Sequence, residues 1–186
     1  MNNLALSEIA ARIASVPAAS GMTTKIIGVD GCGGAGKSTF ARRLAALLDA
    51  QLIQTDDFAS WDTALDCAPR LLDQVLLPLH QDRAGRYQRY DWGTQTLAEW
   101  HDVPLQPHIV LEGVSSTRAV FRPMLAFKIF VDAPKAIRLT RGLARDGAQA
   151  LPLWESWQAA EDDYLKTEDP AARADLILDG TQPIPD

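Results

Sequence analysis

A glycine-rich phosphate motif begins at residue 31. The eight residues from 31 to 38 read Gly-Cys-Gly-Gly-Ala-Gly-Lys-Ser and satisfy the pattern G-x-x-x-x-G-K-[ST]. Glycines let consecutive backbone N–H groups point inward, where they can hold the phosphates of a nucleotide. We expect Lys37 to bridge the β- and γ-phosphates, Ser38 to bind Mg²⁺, and Thr39 to support the α-phosphate. The predicted ATP-binding residues are Gly31, Cys32, Gly33, Gly34, Ala35, Gly36, Lys37, Ser38 and Thr39.

Carboxylates follow two other apolar runs of the chain. Asp56 and Asp57 come directly after the run at 51–54, and Glu112 comes directly after the run at 108–111. If these runs are parallel strands, the carboxylates lie at the carboxyl edge of the sheet, where open α/β sheets bind ligands. A carboxylate there can accept the proton of an attacking hydroxyl group, and Glu112 can reach Mg²⁺ or its waters. The alternatives are solvated strand ends and a helix-capping pair.

Three arginines share one face of a predicted helix. Arg138, Arg141 and Arg145 are spaced by three and four residues. Taken alone, such a stripe is more often a solvated surface. Beside a phosphate site, arginines from a lid can neutralise the charge that develops on a transferring phosphoryl group. Flexible glycines at 142 and 147 would suit a lid, which we predict at about 141–153.

Apolar spacing predicts the elements that would position these groups. Helical patterns separate most of five short apolar runs, which we predict as strands at 25–29, 51–54, 108–111, 127–131 and 176–178. Buried strands that alternate with helices indicate a parallel sheet covered on both faces. We therefore expect an α/β fold of the P-loop NTPase type, a three-layer sandwich with a five-stranded parallel sheet and an arginine-bearing lid.

Three further segments have distinct patterns. An N-terminal helix is predicted at about 4–17, and the turn-rich segment 82–107 is expected to line the substrate site. Trp61, Trp92 and Trp100 lie in turn-rich segments near the predicted site residues, where one of these rings can stack on a base. Trp154, Trp157 and Tyr164 lie at helical spacing and are interpreted mainly as a core-facing stripe.

Size and composition bound the possible functions. The chain has 186 residues, a net charge of −6 and a pI near 5.0, which fits a single α/β domain over 1–186 and disfavours polynucleotide binding. Its two cysteines are too few for a zinc site or a disulfide framework, so a cytoplasmic location is expected. No apolar run approaches the length of a membrane span, and we expect no membrane contact. The oligomeric state stays open.

Four blocks together resemble the uridine kinase family, within the wider phosphoribulokinase and pantothenate kinase group. They are Gly28-Val29-Asp30-Gly31 leading into the phosphate motif, Thr55-Asp56-Asp57-Phe58, Val110-Leu111-Glu112-Gly113-Val114, and Ile129-Phe130-Val131-Asp132 followed by Arg138-Leu139-Thr140-Arg141 and Arg145-Asp146. The ending at 174–180 is similar to the family's last strand. Only the N-terminal helix falls outside this resemblance.

The resemblance implies a role for each matching residue. It makes Asp56 the group that accepts the proton of a sugar hydroxyl, with Asp57 as its neighbour, and it places Glu112 near Mg²⁺. It assigns the lid arginines to Arg138, Arg141 and Arg145. Substrate-binding positions are implied by two further pairs, which with Asp57 give the set Asp57, Trp61, Asp62, Tyr90 and Asp91.

Two departures from the family pattern leave the acceptor open. Asp62 follows Asp56 after only six residues, and no counterpart of the family's substrate-binding histidine follows Tyr90, since His101 is a poor candidate. The acceptor is therefore a nucleoside, a vitamin or a sugar alcohol.

The expected function is ATP-dependent phosphorylation of a small-molecule hydroxyl, with ATP and Mg²⁺ as the required ligands. One alternative is a nucleoside monophosphate, shikimate or gluconate-type kinase, which needs arginines in the acceptor pocket. The sequence leaves the direction of the candidate arginines open; they are Arg70, Arg83, Arg86 and Arg89. Another alternative is a non-catalytic nucleotide-binding regulator, and the absence of an Asn-Lys-x-Asp guanine motif counts against a GTPase-like switch.

Overall fold

The computed structural model describes residues 3–60 and 66–186. Its helices are α1 (Leu6–Ser15), α2 (Lys37–Leu47), α3 (Ala68–Leu71), α4 (Leu77–His80), α5 (Lys135–Asp146), α6 (Leu151–Glu168) and α7 (Pro170–Arg173). A π-helical turn (Leu72–Leu76) joins α3 to α4. The strands are β1 (Lys25–Asp30), β2 (Gln51–Gln54), β3 (Gly85–Asp91), β4 (Thr96–Val103), β5 (His108–Glu112), β6 (Phe127–Asp132) and β7 (Leu176–Asp179).

Five of these strands form one parallel sheet in the order β2-β5-β1-β6-β7. The register pairs Val29 with Glu112 and Gln54 with Glu112, so that the carboxyl ends of β1, β2 and β5 lie side by side. All five predicted strands are present, and the predicted α/β sandwich is confirmed. The phosphate motif and the carboxylates that follow β2 and β5 consequently meet at one edge of the sheet.

The sheet is buried on both faces because alternate side chains of its strands enter two separate cores. Ile27 and Val29 of β1 pack with α1 and α2 in one core, whereas Ile26 packs with the segment from α3 to α4 in the other. Strand β5 divides in the same way, with Val110 in the first core and Ile109 in the second. This alternation follows from the period of two along a strand, and it produces the three layers.

A two-stranded antiparallel sheet, formed by β3 and β4, lies outside the main sheet. From the sequence this turn-rich segment is expected to line the substrate site, and these two strands are not predicted. Tyr87 is buried and stacks on His101 of the paired strand, with ring centroids 5.1 Å apart. Gly85 lies close to the backbone of the π-helical turn, where a Cβ atom at position 85 would be 3.2 Å from the Cα of Val75.

The predicted lid corresponds to the corner between α5 and α6. It contains the end of α5, a single 3₁₀ turn (Ala148–Ala150) and the start of α6. The Trp154 side chain is 1% exposed and packs against Gly142 of α5, while Tyr164 is also buried. The core interpretation therefore holds for Trp154 and Tyr164. None of the helices within the described ranges has both the length and the apolar character needed to cross a membrane.

The contact between Gly142 and Trp154 yields a stability prediction. A Cβ atom at position 142 would overlap the indole ring of Trp154. Alanine favours a helix over glycine by about 1 kcal/mol, but overlap with a buried ring outweighs this gain. We expect Gly142→Ala to lower the free energy of unfolding by roughly 1–3 kcal/mol, measured by urea denaturation.

Thr140→Ala is the control, because Thr140 is an exposed residue of the same helix. It should change stability by no more than about 0.5 kcal/mol. A Gly142→Ala protein that is more stable than the wild type, as helix propensity alone predicts, would contradict the packing argument.

Candidate active site

The phosphate motif folds as a tight loop between β1 and α2, in the context that the sequence predicts. Gly34 and Gly36 have φ angles of +77° and +102°, in the left-handed region that favours glycine. A Cβ at position 34 would lie 3.0 Å from the Cα of Arg138, so the loop also runs directly against helix α5. The amino terminus of α2 follows at Lys37. This geometry forms a cradle for an anion.

A fully buried carboxylate, Asp30, supports the start of the loop. Its Oδ1 atom accepts hydrogen bonds from the Gly31 N–H (2.7 Å) and the Ser115 N–H (3.1 Å). Its Oδ2 atom accepts from the Thr117 N–H (2.9 Å), the Thr117 hydroxyl (2.7 Å) and the Tyr164 hydroxyl (2.6 Å). Burial, followed by the charge of Asp30, raises the pKa of Tyr164, which keeps its hydroxyl group protonated as a donor. The sequence analysis assigns no role to Asp30.

Glu161 of α6 is a second buried carboxylate that contacts the loop. Its Oε1 atom accepts a hydrogen bond from the Gly33 N–H at 2.6 Å, and its Oε2 atom lies 2.7 Å from Nη1 of Arg138. Only 3% of Glu161 and 5% of Arg138 are exposed. Glu161 could have been identified from the sequence by its position, because it is a charged residue on the same helix face as Trp154 and Trp157.

Arg138 therefore differs from its expected position in the lid. Its Nε atom donates to the backbone oxygen of Ala133 at 3.1 Å, and its guanidinium group pairs with Glu161. The side chain is buried behind the loop and does not line the cavity described below. Contact of Arg138 with the transferring phosphoryl group stays a prediction, and in this structure Glu161 supplies the anionic partner that a buried arginine needs.

Glu112 lies beside Lys37 and Ser38, as the sequence predicts. Its Oε1 atom accepts from the Ser38 hydroxyl at 3.0 Å and lies 3.8 Å from Nζ of Lys37, and its Oε2 atom accepts from the Gln54 amide at 3.0 Å. Only 2% of Glu112 is exposed. The described ranges contain no group of three or more His, Cys, Asp or Glu side chains suited to a metal ion. Ser38 and Glu112 are the oxygen donors available here, and they fit Mg²⁺ that is bound partly by substrate phosphates.

A cavity of about 470 Å³ lies over the loop. Its phosphate end is lined by the loop itself, by Lys37 and Ser38, and by Arg141 and Arg145 of α5. Helix α6 contributes Trp157 to the same wall. The sequence analysis does not single out Arg42 of α2, which also lines this cavity. The cavity thus brings cations from two helices to the glycine loop.

The other end of the cavity contains the carboxyl end of β2. Asp56 is exposed and lines the cavity, together with Trp92, whose Nε1 atom donates to the backbone oxygen of Asp56 at 3.0 Å. Asp57 instead accepts a hydrogen bond from the Tyr87 hydroxyl at 2.9 Å. Burial raises the pKa of Asp57, although the hydrogen bond from Tyr87 opposes this shift. The two adjacent carboxylates therefore have different environments, and only Asp56 faces the cavity.

Two predicted lid arginines lie at the cavity in different ways. Arg141 donates through Nη1 to the backbone oxygens of Gly34 (3.2 Å) and Gly180 (3.0 Å). Arg145 pairs with Asp146 at 2.7 Å, and its guanidinium carbon lies 5.6 Å from the centre of the Trp154 ring. Hydrogen bonding to Asp146 raises the pKa of Arg145. Arg141 is thus fixed to the loop, whereas Arg145 contacts Asp146 at the end of its own helix and Trp154 of α6.

Among the described residues, the predicted substrate residues Asp91 and Tyr90 do not line the cavity. Asp91 accepts from the N–H groups of Gly93 and Thr94, both at 2.9 Å, and pairs with Arg89 at 3.1 Å. These hydrogen bonds, led by the one from Thr94, lower the pKa of Asp91 to about 2. Asp91 stabilises the β3-β4 turn, and its assignment to substrate stays a prediction. The predicted residues Trp61 and Asp62 lie outside the described residues.

The assignment of Tyr90 to substrate likewise stays a prediction. This residue does not line the cavity and packs edge-on against Trp92, with ring centroids 5.3 Å apart. Trp92 is the hairpin residue that reaches the cavity, whereas Trp100 is 49% exposed and lies under the guanidinium group of Arg86.

The four arginines of unassigned direction all have partners within the protein. Arg70 donates to the backbone oxygens of Asp57, Phe58 and Gln88. The other pairings are Arg83 with Gln81, Arg86 with Asp102, and Arg89 with Glu99 and Asp91. None of these arginines lines the 470 Å³ cavity.

A second cavity, of about 380 Å³, adjoins the outer side of the loop. It is lined by Gly36 and Thr39 of the loop region, by Arg141, and by the C-terminal segment from Gly180 to Ile184. Arg43 donates to the backbone oxygen of Ile184 at 2.7 Å and so fixes that segment. The sequence analysis does not predict this cavity, because the segment after β7 carries no motif.

The two cysteines are unsuited to redox chemistry. Burial, followed by the charge of Glu161, raises the pKa of the Cys32 thiol to about 12, and burial raises the pKa of the Cys67 thiol to about 11. Both side chains therefore remain protonated thiols, and thiolates are the reactive form.

Two solved structures are similar to this chain over nearly its whole length. A possible uridine kinase from Bacillus stearothermophilus is 22% identical, with a TM-score of 0.71 and coverage of 94% of this chain and 97% of that chain. A protein proposed to be a fructose transport system kinase, from Silicibacter sp. TM1040, is 18% identical, with a TM-score of 0.64 and coverage of 94% and 99%. At such identities the similarity establishes the fold alone.

The sequence itself also matches a family model. No curated protein matches the chain. The model described as "Phosphoribulokinase / Uridine kinase family" matches residues 63–181, which is more than half of the chain and contains Glu112 and all three lid arginines. The phosphate motif precedes the matched range, and its geometry is established by the structure independently. This chain belongs to the phosphoribulokinase/uridine kinase family.

Proposed function

We propose that this protein transfers the γ-phosphoryl group of ATP to a hydroxyl group of an uncharged small molecule, either a nucleoside or a related alcohol. The observation that carries the proposal is the single cavity that joins the glycine loop, with Lys37 and Ser38, to the exposed carboxylate of Asp56. Phosphoryl transfer needs a phosphate cradle and a group that orients the acceptor hydroxyl, and both are present in one space.

The phosphate end of the cavity suits a nucleoside triphosphate. Backbone N–H groups of the loop and the amino terminus of α2 would hold the β-phosphate, and Lys37 would contact the phosphates that carry the most charge. Mg²⁺, held by Ser38 and Glu112 together with the phosphates, would neutralise charge on the transferring group. Arg141 and Arg145 supply further positive charge at this end.

The second cavity is a suitable place for the nucleobase. It opens beside Gly36 and Thr39, where the chain turns from the loop into α2, and Arg141 lines both cavities. The exposed parts of Gln182 and Pro183 can contact a planar ring there. This arrangement would direct the triphosphate inward along the loop and the γ-phosphate toward Asp56.

The acceptor end supports Asp56 as the group that orients and deprotonates the hydroxyl. Asp56 is exposed to the cavity, whereas Asp57 is engaged by Tyr87 and its raised pKa disfavours the charged form. The transition state of phosphoryl transfer is loose, so a base acts as much by positioning the hydroxyl as by accepting its proton. Ala59 and Val114 give this end an apolar wall, and Trp92 offers an aromatic surface.

The paired arginines argue against a phosphorylated or carboxylated acceptor. A nucleoside monophosphate or shikimate-type acceptor requires free guanidinium groups near Asp56. Among the described residues, Arg70 is directed to backbone oxygens, and Arg86 and Arg89 are paired with carboxylates. The cations that line the cavity come from α2 and α5, and Arg145, which also interacts with Asp56, is paired with Asp146. A protein that binds nucleotide only for regulation would not need the Asp56 carboxylate in this cavity.

The first prediction concerns the charge of the acceptor. Purified protein with ATP and Mg²⁺ should phosphorylate an uncharged alcohol in a panel of nucleosides, vitamins and polyols. The 5′-phosphate or carboxylate counterpart of that alcohol should react far more slowly, because the acceptor end lacks an unpaired cation among the described residues. Product mass is the measurement. Preference for the phosphorylated counterpart would contradict the proposal, and transfer to no acceptor in either panel would count against kinase activity itself.

The second prediction separates the two adjacent carboxylates. Asp56→Asn should lower kcat by about 10²–10⁴-fold, the usual contribution of a general base, while the Kd for ATP stays within a few-fold of the wild-type value. Asp57→Asn is the matched control, since an asparagine amide oxygen can still accept the hydrogen bond from Tyr87. Its loss of kcat should be much smaller. A larger loss in Asp57→Asn than in Asp56→Asn would reverse the assignment.

A further inference from the structure

The ion pair between Arg138 and Glu161 joins three parts of the protein. Arg138 belongs to α5, Glu161 belongs to α6, and the Glu161 carboxylate also accepts the Gly33 N–H of the phosphate loop at 2.6 Å. The Gly34 residue that follows lies against the backbone of Arg138. The first half of the loop is therefore enclosed by these two helices.

Glu161 places a negative charge at the proposed nucleotide site. Glu161 lines the same cavity as Lys37 and Ser38, where the phosphates of a nucleotide are proposed to bind. A carboxylate at that position repels phosphate groups unless a cation neutralises it, and the repulsion is strong where water is excluded. Arg138 is the neutralising cation, since its Nη1 atom lies 2.7 Å from Oε2 of Glu161 and its side chain is 6% exposed.

The two oxygens of Glu161 thus have separate tasks. Oε1 accepts the Gly33 N–H and fixes the backbone of the loop. Oε2 binds Arg138, whose positive charge balances the negative charge of Glu161. Removing Arg138 alone leaves a buried, uncompensated carboxylate beside the phosphates. Removing the charge from both partners keeps neutrality, and a glutamine at 161 still offers an amide oxygen to Gly33.

We propose that Arg138 and Glu161 form a positioning pair that holds Gly33 of the phosphate loop in its nucleotide-binding conformation, with Arg138 acting through Glu161 and not on the phosphoryl group. The inference rests on the proposed nucleotide site. It assigns a role to Glu161, and it replaces the direct catalytic role expected for Arg138.

The test is a double-mutant cycle read out by nucleotide binding. The Kd of a non-hydrolysable ATP analogue with Mg²⁺ is measured by calorimetry for the wild type, R138M, E161Q and R138M/E161Q. R138M should weaken binding by at least about tenfold, because a like charge then faces the phosphates. R138M/E161Q should bind within a few-fold of the wild type, since the double change restores neutrality. Rescue of this kind is not expected for an arginine that contacts phosphate directly.

A matched control exists on the same two helices. Lys135 of α5 pairs with Asp162 of α6 at 2.6 Å, but this pair is exposed and does not touch the loop. K135M should therefore leave the nucleotide Kd unchanged. Thermal unfolding of every variant establishes that the proteins compared are folded.

Three results would overturn the inference. They are an unchanged Kd in folded R138M, a double variant that binds no better than R138M, and a loss in K135M equal to that in R138M. If R138M does not fold, the folded double variant decides, because a loss of more than tenfold in its affinity contradicts the proposal. A wild-type protein that binds no nucleotide refutes the proposed function instead, so the two failures are distinguishable.

Discussion

The conformation of the phosphate loop depends on side-chain acceptors that lie outside the loop, in addition to the hydrogen bond from the Ala35 N–H to the backbone oxygen of Cys32. Glycine has no side chain, and a run of glycines has many accessible backbone conformations, so a fixed shape requires partners from elsewhere. Three buried carboxylates supply them. Asp30 binds the N–H of Gly31, Glu161 binds the N–H of Gly33, and Glu112 binds the Ser38 hydroxyl where the loop enters α2.

These carboxylates come from distant parts of the chain, and the fold brings them together at the phosphate loop. Strand β1 carries Asp30 and strand β5 carries Glu112 beside it, because the parallel register aligns their carboxyl ends. Helix α6 adds Glu161 and, three residues later, Tyr164, which donates to Asp30. The helix that covers the sheet is therefore also a support for the loop. Each buried charge has a partner, as the cost of burying a charge requires.

The sequence predicts the parts of this arrangement that are encoded locally. The five strands follow from short apolar runs, and the loop follows from a motif whose flanking strand and helix are visible in the sequence. The proximity of Glu112 to Ser38 follows from the rule that parallel strands end at one edge. Asp56 and Asp57 were distinguished only by a family resemblance, and the hydrogen bond from Tyr87 gives the physical difference between them.

The parts that the sequence does not predict depend on contacts between segments far apart. The ion pair of Arg138 with Glu161 joins two helices, and an arginine stripe looks the same whether it faces phosphate, water or a carboxylate. Strands β3 and β4 pair with each other, and their register shifts between Gln88 and Tyr90. Strand β3 contains Arg86 and Arg89, and neither strand has a clear apolar alternation. The second cavity arises where the segment after β7 meets α2. In each case the tertiary partner decides the role of the residue.

The central claim is that buried carboxylates hold the phosphate loop in its binding conformation before nucleotide arrives. Hydrogen exchange of the Gly31 and Gly33 amides, followed by NMR in the nucleotide-free protein, tests it most directly. The account predicts that both amides exchange orders of magnitude more slowly than in an unstructured peptide, and that E161Q/R138M retains the protection at Gly33. Exchange of the Gly33 amide at the rate of an unstructured peptide in the wild type would contradict the claim.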